Sequence, residues 1–169
     1  MDSMNLARQL RPLAALLAGC FVFAAGGCSR SHTYSTSDGK VSYQEKGKDA
    51  GTVTVTGKDG KTATLNFNQN KIPDDYPKDV PVYSAKVVMS QSASEKNARN
   101  LMLESADAAD KIADYYKKEL ERNGWKTETT VATSGLQMLG ANKDQRQVMI
   151  QITDSGGKRN IMQVLSDKN

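Results

Sequence analysis

The sequence predicts an α+β fold: an antiparallel sheet with one long amphipathic helix on one face, preceded by a β-hairpin appendage. Three observations predict it. Only one segment, from about Ala108 to Asn123, carries apolar residues at helical spacing over several turns. Around it stand short segments of alternating or β-branched residues with turn-sized gaps between them, in the order ββαββββ. Gaps that short join antiparallel neighbours, because a parallel crossover needs about a dozen residues or more. Third, Pro73, Pro77 and Pro81 recur in KIPDDYPKDVPVY (71–83), which rules out a helix interior or central strand there and separates the hairpin from the main domain.

Each element has its own warrant. In the hairpin, Val53 and Val55 alternate, the stretch from Gly57 to Lys61 supplies the turn, and Ala63, Leu65 and Phe67 alternate again. In the connector, Ile72, Tyr76, Val80 and Tyr83 are placed to pin it to the domain surface. Two strands follow, from Ala85 to Gln91 and from Arg99 to Glu104, across a polar turn at Ser94 to Asn97. The helix gathers Ala109, Ile112, Ala113, Tyr116 and Leu120 on one face. Asp107 and Asp110 stand at its positive end, and Lys117, Lys118 and Arg122 at its negative end. Gly124 sits where a left-handed residue closes a helix, and Trp125 is placed to fold back onto Leu120, the contact that accompanies a Schellman stop. Four strands complete the chain, near Lys126 to Ala132, Leu136 to Ala141, Gln147 to Thr153 and Ile161 to Ser166. Leu101, Leu103, Val148, Ile150, Ile152, Ile161 and Leu165 are expected to face the helix.

Catalytic chemistry has little to work with. The single histidine, His32, precedes the domain, so no Ser-His or Cys-His dyad and no histidine zinc site can form within it. Gly60, Lys61 and Thr62 echo the end of a phosphate-binding loop, but Val55 stands where its first glycine belongs and strands flank it. Asn66, Asn68 and Asn70 alternate like calcium ligands without the acidic first residue or the mid-loop glycine. Asp107, Asp110 and Asp114 read as a solvated helix face, with Asp107 to Lys111 and Asp114 to Lys118 spaced for ion pairs. Tyr115, Tyr116 and Trp125 read as core rather than as a stacking platform. The protein is therefore expected not to be an enzyme, and to need no cofactor or metal. Its lysines are interspersed with acids, which excludes a nucleic-acid stripe.

One pattern calls for use. Met102, Met149 and Met162 alternate with core residues, so they point, with Val88 and Val164, to the sheet face away from the helix. These five residues are the candidate interaction surface. Either the hairpin or the connector covers that face, or it accepts a partner protein or a lipidic ligand. Copper capture by the thioethers is set aside, because nothing in the sequence clusters them locally.

The N-terminus carries Arg8 and Arg11 followed by an uncharged apolar run from Pro12 to Cys28, the pattern of a secretory signal. Small residues followed by Cys resemble the lipobox of bacterial lipoproteins, in which the chain is cut before a Cys that then carries a diacylglycerol. Leu17, Ala18 and Gly19 before Cys20 match it better in letters. Ala25, Gly26 and Gly27 before Cys28 leave the longer apolar region, so Cys28 is the expected lipidation site and Cys20 the alternative. Either Met1 or Met4 serves as the start. Residues 1–27 are thus read as signal peptide, 28–51 as lipidated Cys and flexible tether with a weak strand around Lys40 to Gln44, 52–70 as hairpin and 71–169 as the α+β domain.

The connector residues Ile72, Pro73, Pro77, Val80, Pro81 and Tyr83, with the helix ending in Tyr115, Tyr116, Leu120, Gly124 and Trp125, resemble a group of small uncharacterised proteobacterial lipoproteins. The resemblance implies localisation and fold and supplies no catalytic residue. Ser29 after Cys28, where Asp tends to retain such proteins in the inner membrane, implies the outer membrane, facing the periplasm. The expected function is a membrane-anchored binding or scaffolding module for an envelope protein partner. The alternative is a carrier that holds a small apolar or lipidic ligand between sheet and hairpin.

Overall fold

The computed structural model describes residues 30–168, so Cys20 and Cys28 lie outside the described residues. The fold is the expected α+β arrangement, with strands β1 (Ser31–Thr36), β2 (Gly39–Glu45), β3 (Gly51–Gly57), β4 (Thr62–Phe67), β5 (Lys86–Ala93) and β6 (Ala98–Ser105), then helix α1 (Ala109–Arg122), then β7 (Lys126–Thr133), β8 (Leu136–Lys143), β9 (Arg146–Ser155) and β10 (Lys158–Asp167). All ten strands form one antiparallel sheet in the order β1-β2-β3-β4-β5-β6-β10-β9-β8-β7. The chain builds β1 to β6 as a meander, crosses by α1 to the far edge, and returns as a second meander until β10 closes against β6.

Two expectations need correction. Residues read as a tether form β1 and β2, an edge hairpin whose Thr36 and Gly39 pair across a two-residue turn. Every residue of β1 is exposed, so it has no apolar alternation for a sequence pattern to reveal. Gly39 at that turn has φ near 149°, and a Cβ there would lie 2.1 Å from the Thr56 carbonyl oxygen. The expected hairpin, β3 with β4, does not fold over a face. It pairs through β4 with β5 and lengthens the sheet edgewise.

The core lies between α1 and one sheet face. Ile112, Ala113, Tyr116 and Leu120 of the helix are buried, as are all seven predicted strand residues, joined by Val87, Leu139 and Ala141. Each large apolar side chain so buried contributes about 1.5–3 kcal/mol relative to exposure. The helix stop has the predicted form. Gly124 has φ near 78°, its N–H donates to the Glu121 carbonyl at 3.0 Å, and the Trp125 N–H donates to the Leu120 carbonyl at 2.9 Å. Trp125 and Leu120 are both buried.

The connector does more than lie on the surface. Tyr76, Val80 and Tyr83 enter the core, whereas Ile72 remains exposed. Its prolines keep it out of the sheet, so side chains satisfy its carbonyls. Trp125 Nε1 donates to the Asp79 carbonyl at 2.8 Å, Gln163 Nε2 to that of Pro81 at 3.0 Å, and Tyr115 hydroxyl to that of Val82 at 3.0 Å.

Candidate functional site

The residues singled out for chemistry resolve mostly into structure. Gly60, Lys61 and Thr62 form the β3–β4 turn, with the Lys61 N–H donating to the Asp59 carboxylate at 3.1 Å. Asn66 accepts from Thr52 at 2.8 Å, Asn68 donates to the Asp49 carbonyl at 2.8 Å, and Asn70 accepts from the Val87 N–H at 3.1 Å, so the three do not converge. Asp107 accepts from the Tyr83 hydroxyl at 2.6 Å and from Lys111 at 2.7 Å, and both hold its carboxyl below the ordinary range, Lys111 more strongly. Asp114 pairs with Lys117 at 3.8 Å, one residue short of the expected Lys118, and Asp110 accepts from Gln137. His32 is exposed on β1. Among the described residues no three His, Cys, Asp or Glu side chains are grouped to hold a metal, and no helix is long and apolar enough to cross a membrane.

The space between helix and sheet is filled. Its centre is polar, which no alternation predicts. Gln163 on β10 is fully buried, accepts from the Tyr116 hydroxyl at 3.1 Å and donates to the connector. Tyr116 accepts in turn from the Tyr83 N–H at 3.2 Å, and burial pushes its ionisation far up. Tyr83, Tyr115 and Tyr116 pack edge-on or tilted with centroids 5.1 to 6.4 Å apart. At the sheet's end, the Asp79 carboxylate accepts from Arg146 at 3.0 and 2.6 Å and from Lys143 at 2.8 Å, with the Arg146 guanidinium 5.1 Å from the centre of the Trp125 ring. Hydrogen bonding from Arg146 first and Lys143 second holds the Asp79 carboxyl well below its usual range.

The opposite face is uncovered, because α1 and the connector lie on one side and the β3–β4 hairpin extends the sheet edgewise through β5. Met149 and Met162 are 44% and 39% exposed, while Met102, Val88 and Val164 are half-buried. The pairing brings all five candidate residues onto neighbouring strands: Met162 stands opposite Met102, and Val164 opposite Met149. It adds two methionines that the alternation missed. Met138 stands opposite Gln151 on this face. Met89 stands opposite Met102 because the register shifts between Val87 and Met89. Both Val87 and Ser90 therefore face the core while Met89 turns outward.

Part of this face is hollowed. Gly140 stands between its partners Thr129 and Met149 and lets Thr129 lie close, since a Cβ there would be only 3.2 Å from that of Thr129. A register shift between Thr127 and Thr129 bends β7 at the same place. The result is an open groove of about 280 Å³ lined by Glu128, Thr129, Gly140, Asn142, Met149 and Val164 among others. A second groove of about 260 Å³, lined by Asp75, Arg99, Arg146 and Asp167, lies at the connector and carries charges of both signs.

No curated protein and no solved structure matches the chain. Residues 86–158, from the start of β5 to the first residue of β10, match the family model described as START domain-like. That region is similar to the family in sequence and contains β5, β6, the whole of α1 and β7 to β9.

Proposed function

We propose that the protein is a lipid-anchored, non-catalytic module of the bacterial cell envelope that binds a small apolar or lipidic ligand in the groove beside Gly140. START-like folds are in general non-catalytic binding modules for lipids and other ligands, and the match of residues 86–158 supports that role. The observation that carries the choice of site is the groove beside Gly140 on the uncovered face, where Met149 and Val164 stand among the polar side chains of Glu128, Thr129, Asn142 and Gln147. Its groove is close to the lower end of the range of about 300–1,000 Å³ typical of small-molecule sites. The helix side of the sheet, by contrast, is occupied by Tyr116, Gln163 and the connector. A ligand held between sheet and hairpin, as the sequence suggested, has no place, since the hairpin continues the sheet.

The anchor belongs to the same proposal. The lipobox-like stretch before Cys28 supports it, and Ser29 supports the outer membrane. Ser31 already pairs with Gln44, so only Ser29 and Arg30 would separate the acylated Cys28 from the sheet. At about 3.3–3.6 Å per residue, β1 would then be held within about 10 Å of the bilayer. Lipidic ligands would meet the groove at raised effective concentration.

Lipid extracted from protein purified out of membranes and identified by mass spectrometry tests the reading, together with saturable binding of a fluorescent fatty acid. Met149→Glu and Val164→Lys place charges at the groove and should each abolish saturable binding while leaving the circular dichroism spectrum unchanged. Absence of both bound lipid and saturable uptake would refute it. The exposure of Met149 and Met162 also favours a second reading, docking of an envelope protein partner, which an in-cell crosslink from position 162 would capture.

A further inference from the structure

We propose that Met89, Met102 and Met162 form a three-thioether site for a soft monovalent cation, Cu(I) or Ag(I). The observation is one of register. Met89 on β5 stands opposite Met102 on β6, and Met102 stands opposite Met162 on β10, so three thioethers lie side by side on three adjacent strands of one face. The sequence scatters them over more than seventy positions, and only the β5 bulge turns Met89 to that side.

The reach is sufficient. Strands lie about 4.8 Å apart, so the outer two residues are separated by about 10 Å, and each has a directly opposed neighbour with Cβ atoms about 4.5–5.5 Å away. A methionine side chain has three rotatable bonds, which lets both outer sulfurs lean over Met102. All three residues are at least partly open to solvent, Met162 most of all. Beyond Met162 the row continues with Gln151 on β9 and then Met138 on β8, so an amide separates the fourth thioether from the first three.

The donor set fixes the class of ion. Thioethers are soft and neutral, which selects Cu(I) or Ag(I) over the hard cations Mg(II) and Ca(II) that prefer oxygen. They carry no proton to displace, unlike Cys or His ligands, so binding should not change between pH 7 and pH 5. Binding is a plain coordination step that leaves the ion's oxidation state unchanged. It is independent of the apolar-ligand proposal, because the groove beside Gly140 is lined by Met149 and Val164 and by none of these three methionines.

The test uses Ag(I), which does not cycle in air, titrated into the full-length protein labelled with ¹³C at the methionine methyls. The expected result is saturation at one equivalent, with the methyl signals of Met89, Met102 and Met162 shifted together and those of Met138 and Met149 unmoved. Met102→Leu keeps the apolar volume and should weaken binding by about tenfold or more, as loss of a supporting contact alone does in metal sites. Met149→Leu should leave Ag(I) affinity unchanged while Met149→Glu abolishes fatty-acid binding, which separates failure of this site from failure of the groove. Three outcomes would overturn the site: equal shifts at Met89, Met102, Met162, Met138 and Met149, an affinity unchanged in Met102→Leu, or an affinity that collapses at pH 5.

Discussion

Removing the charge of Asp79 should loosen the connector from the domain. In Asp79→Asn the side chain keeps its shape but loses its charge, leaving Lys143 and Arg146 side by side without their shared counterion. A hydrogen bond to a charged group contributes about 1.5–3 kcal/mol when well shielded, whereas a fully exposed pair contributes at most about 1 kcal/mol. The three side chains are about one-third to one-quarter exposed, at 33%, 26% and 27%, so the network falls between these limits. We expect a loss of about 2 kcal/mol, which for a domain of this size lowers Tm by about 5–10 °C.

The pH dependence follows from the sign of the shift. The folded-state carboxyl of Asp79 ionises below the unfolded value of 3.8, so its stabilisation is fully present above that value and is lost as pH falls toward the folded one. Urea unfolding followed by Trp125 fluorescence should therefore show the variant weaker than wild type at pH 7 and the gap narrowing below about pH 4. Equal midpoints at pH 7, or a gap that persists undiminished into acid, would refute an ionic clasp.

The buried tyrosines should behave oppositely. Tyr116→Phe removes a donor from Gln163 and an acceptor from the Tyr83 N–H and should cost about 1–3 kcal/mol by urea unfolding. Tyr76→Phe removes a hydroxyl buried without a well-formed hydrogen bond and should be neutral or slightly stabilising in the same assay. Gly124→Ala forces a side chain into φ near 78° and should cost about 1–2 kcal/mol, read as a lowered Tm. Cys28→Ala should shift the protein from the membrane to the soluble fraction on cell fractionation. Lipid labelling that survives it would move the anchor to Cys20.

How much of this could be read from the sequence depended on whether local spacing carried the signal. Helix α1, its Schellman stop and the second meander were legible because amphipathic spacing and turn residues act over a few positions. Strand β1 carries no sequence signal, since an edge strand exposed along its whole length needs no apolar alternation, and β2 beside it shows only the weak strand pattern around Lys40 to Gln44. Gln163 was invisible as a core residue because its burial depends on Tyr116 and Pro81, 47 and 82 positions away. Asp79 has no local signal for the same reason, its cations standing 64 and 67 positions downstream.

The methionines draw the line most clearly. The alternation around Met102, Met149 and Met162 was enough to assign them to one face, because strand pleating fixes side-chain direction two residues at a time. Which face is covered, and which thioethers are neighbours, was decided by strand order and register. Those arise from long-range pairing. The bulge beside Val88 reverses the parity of β5, so Met89 joins a row that its own sequence neighbourhood argued against. Composition and periodicity thus determined that an apolar second face exists. Only the tertiary structure, by laying the hairpin beside the sheet rather than over it, left that face open and gathered its sulfurs into a row.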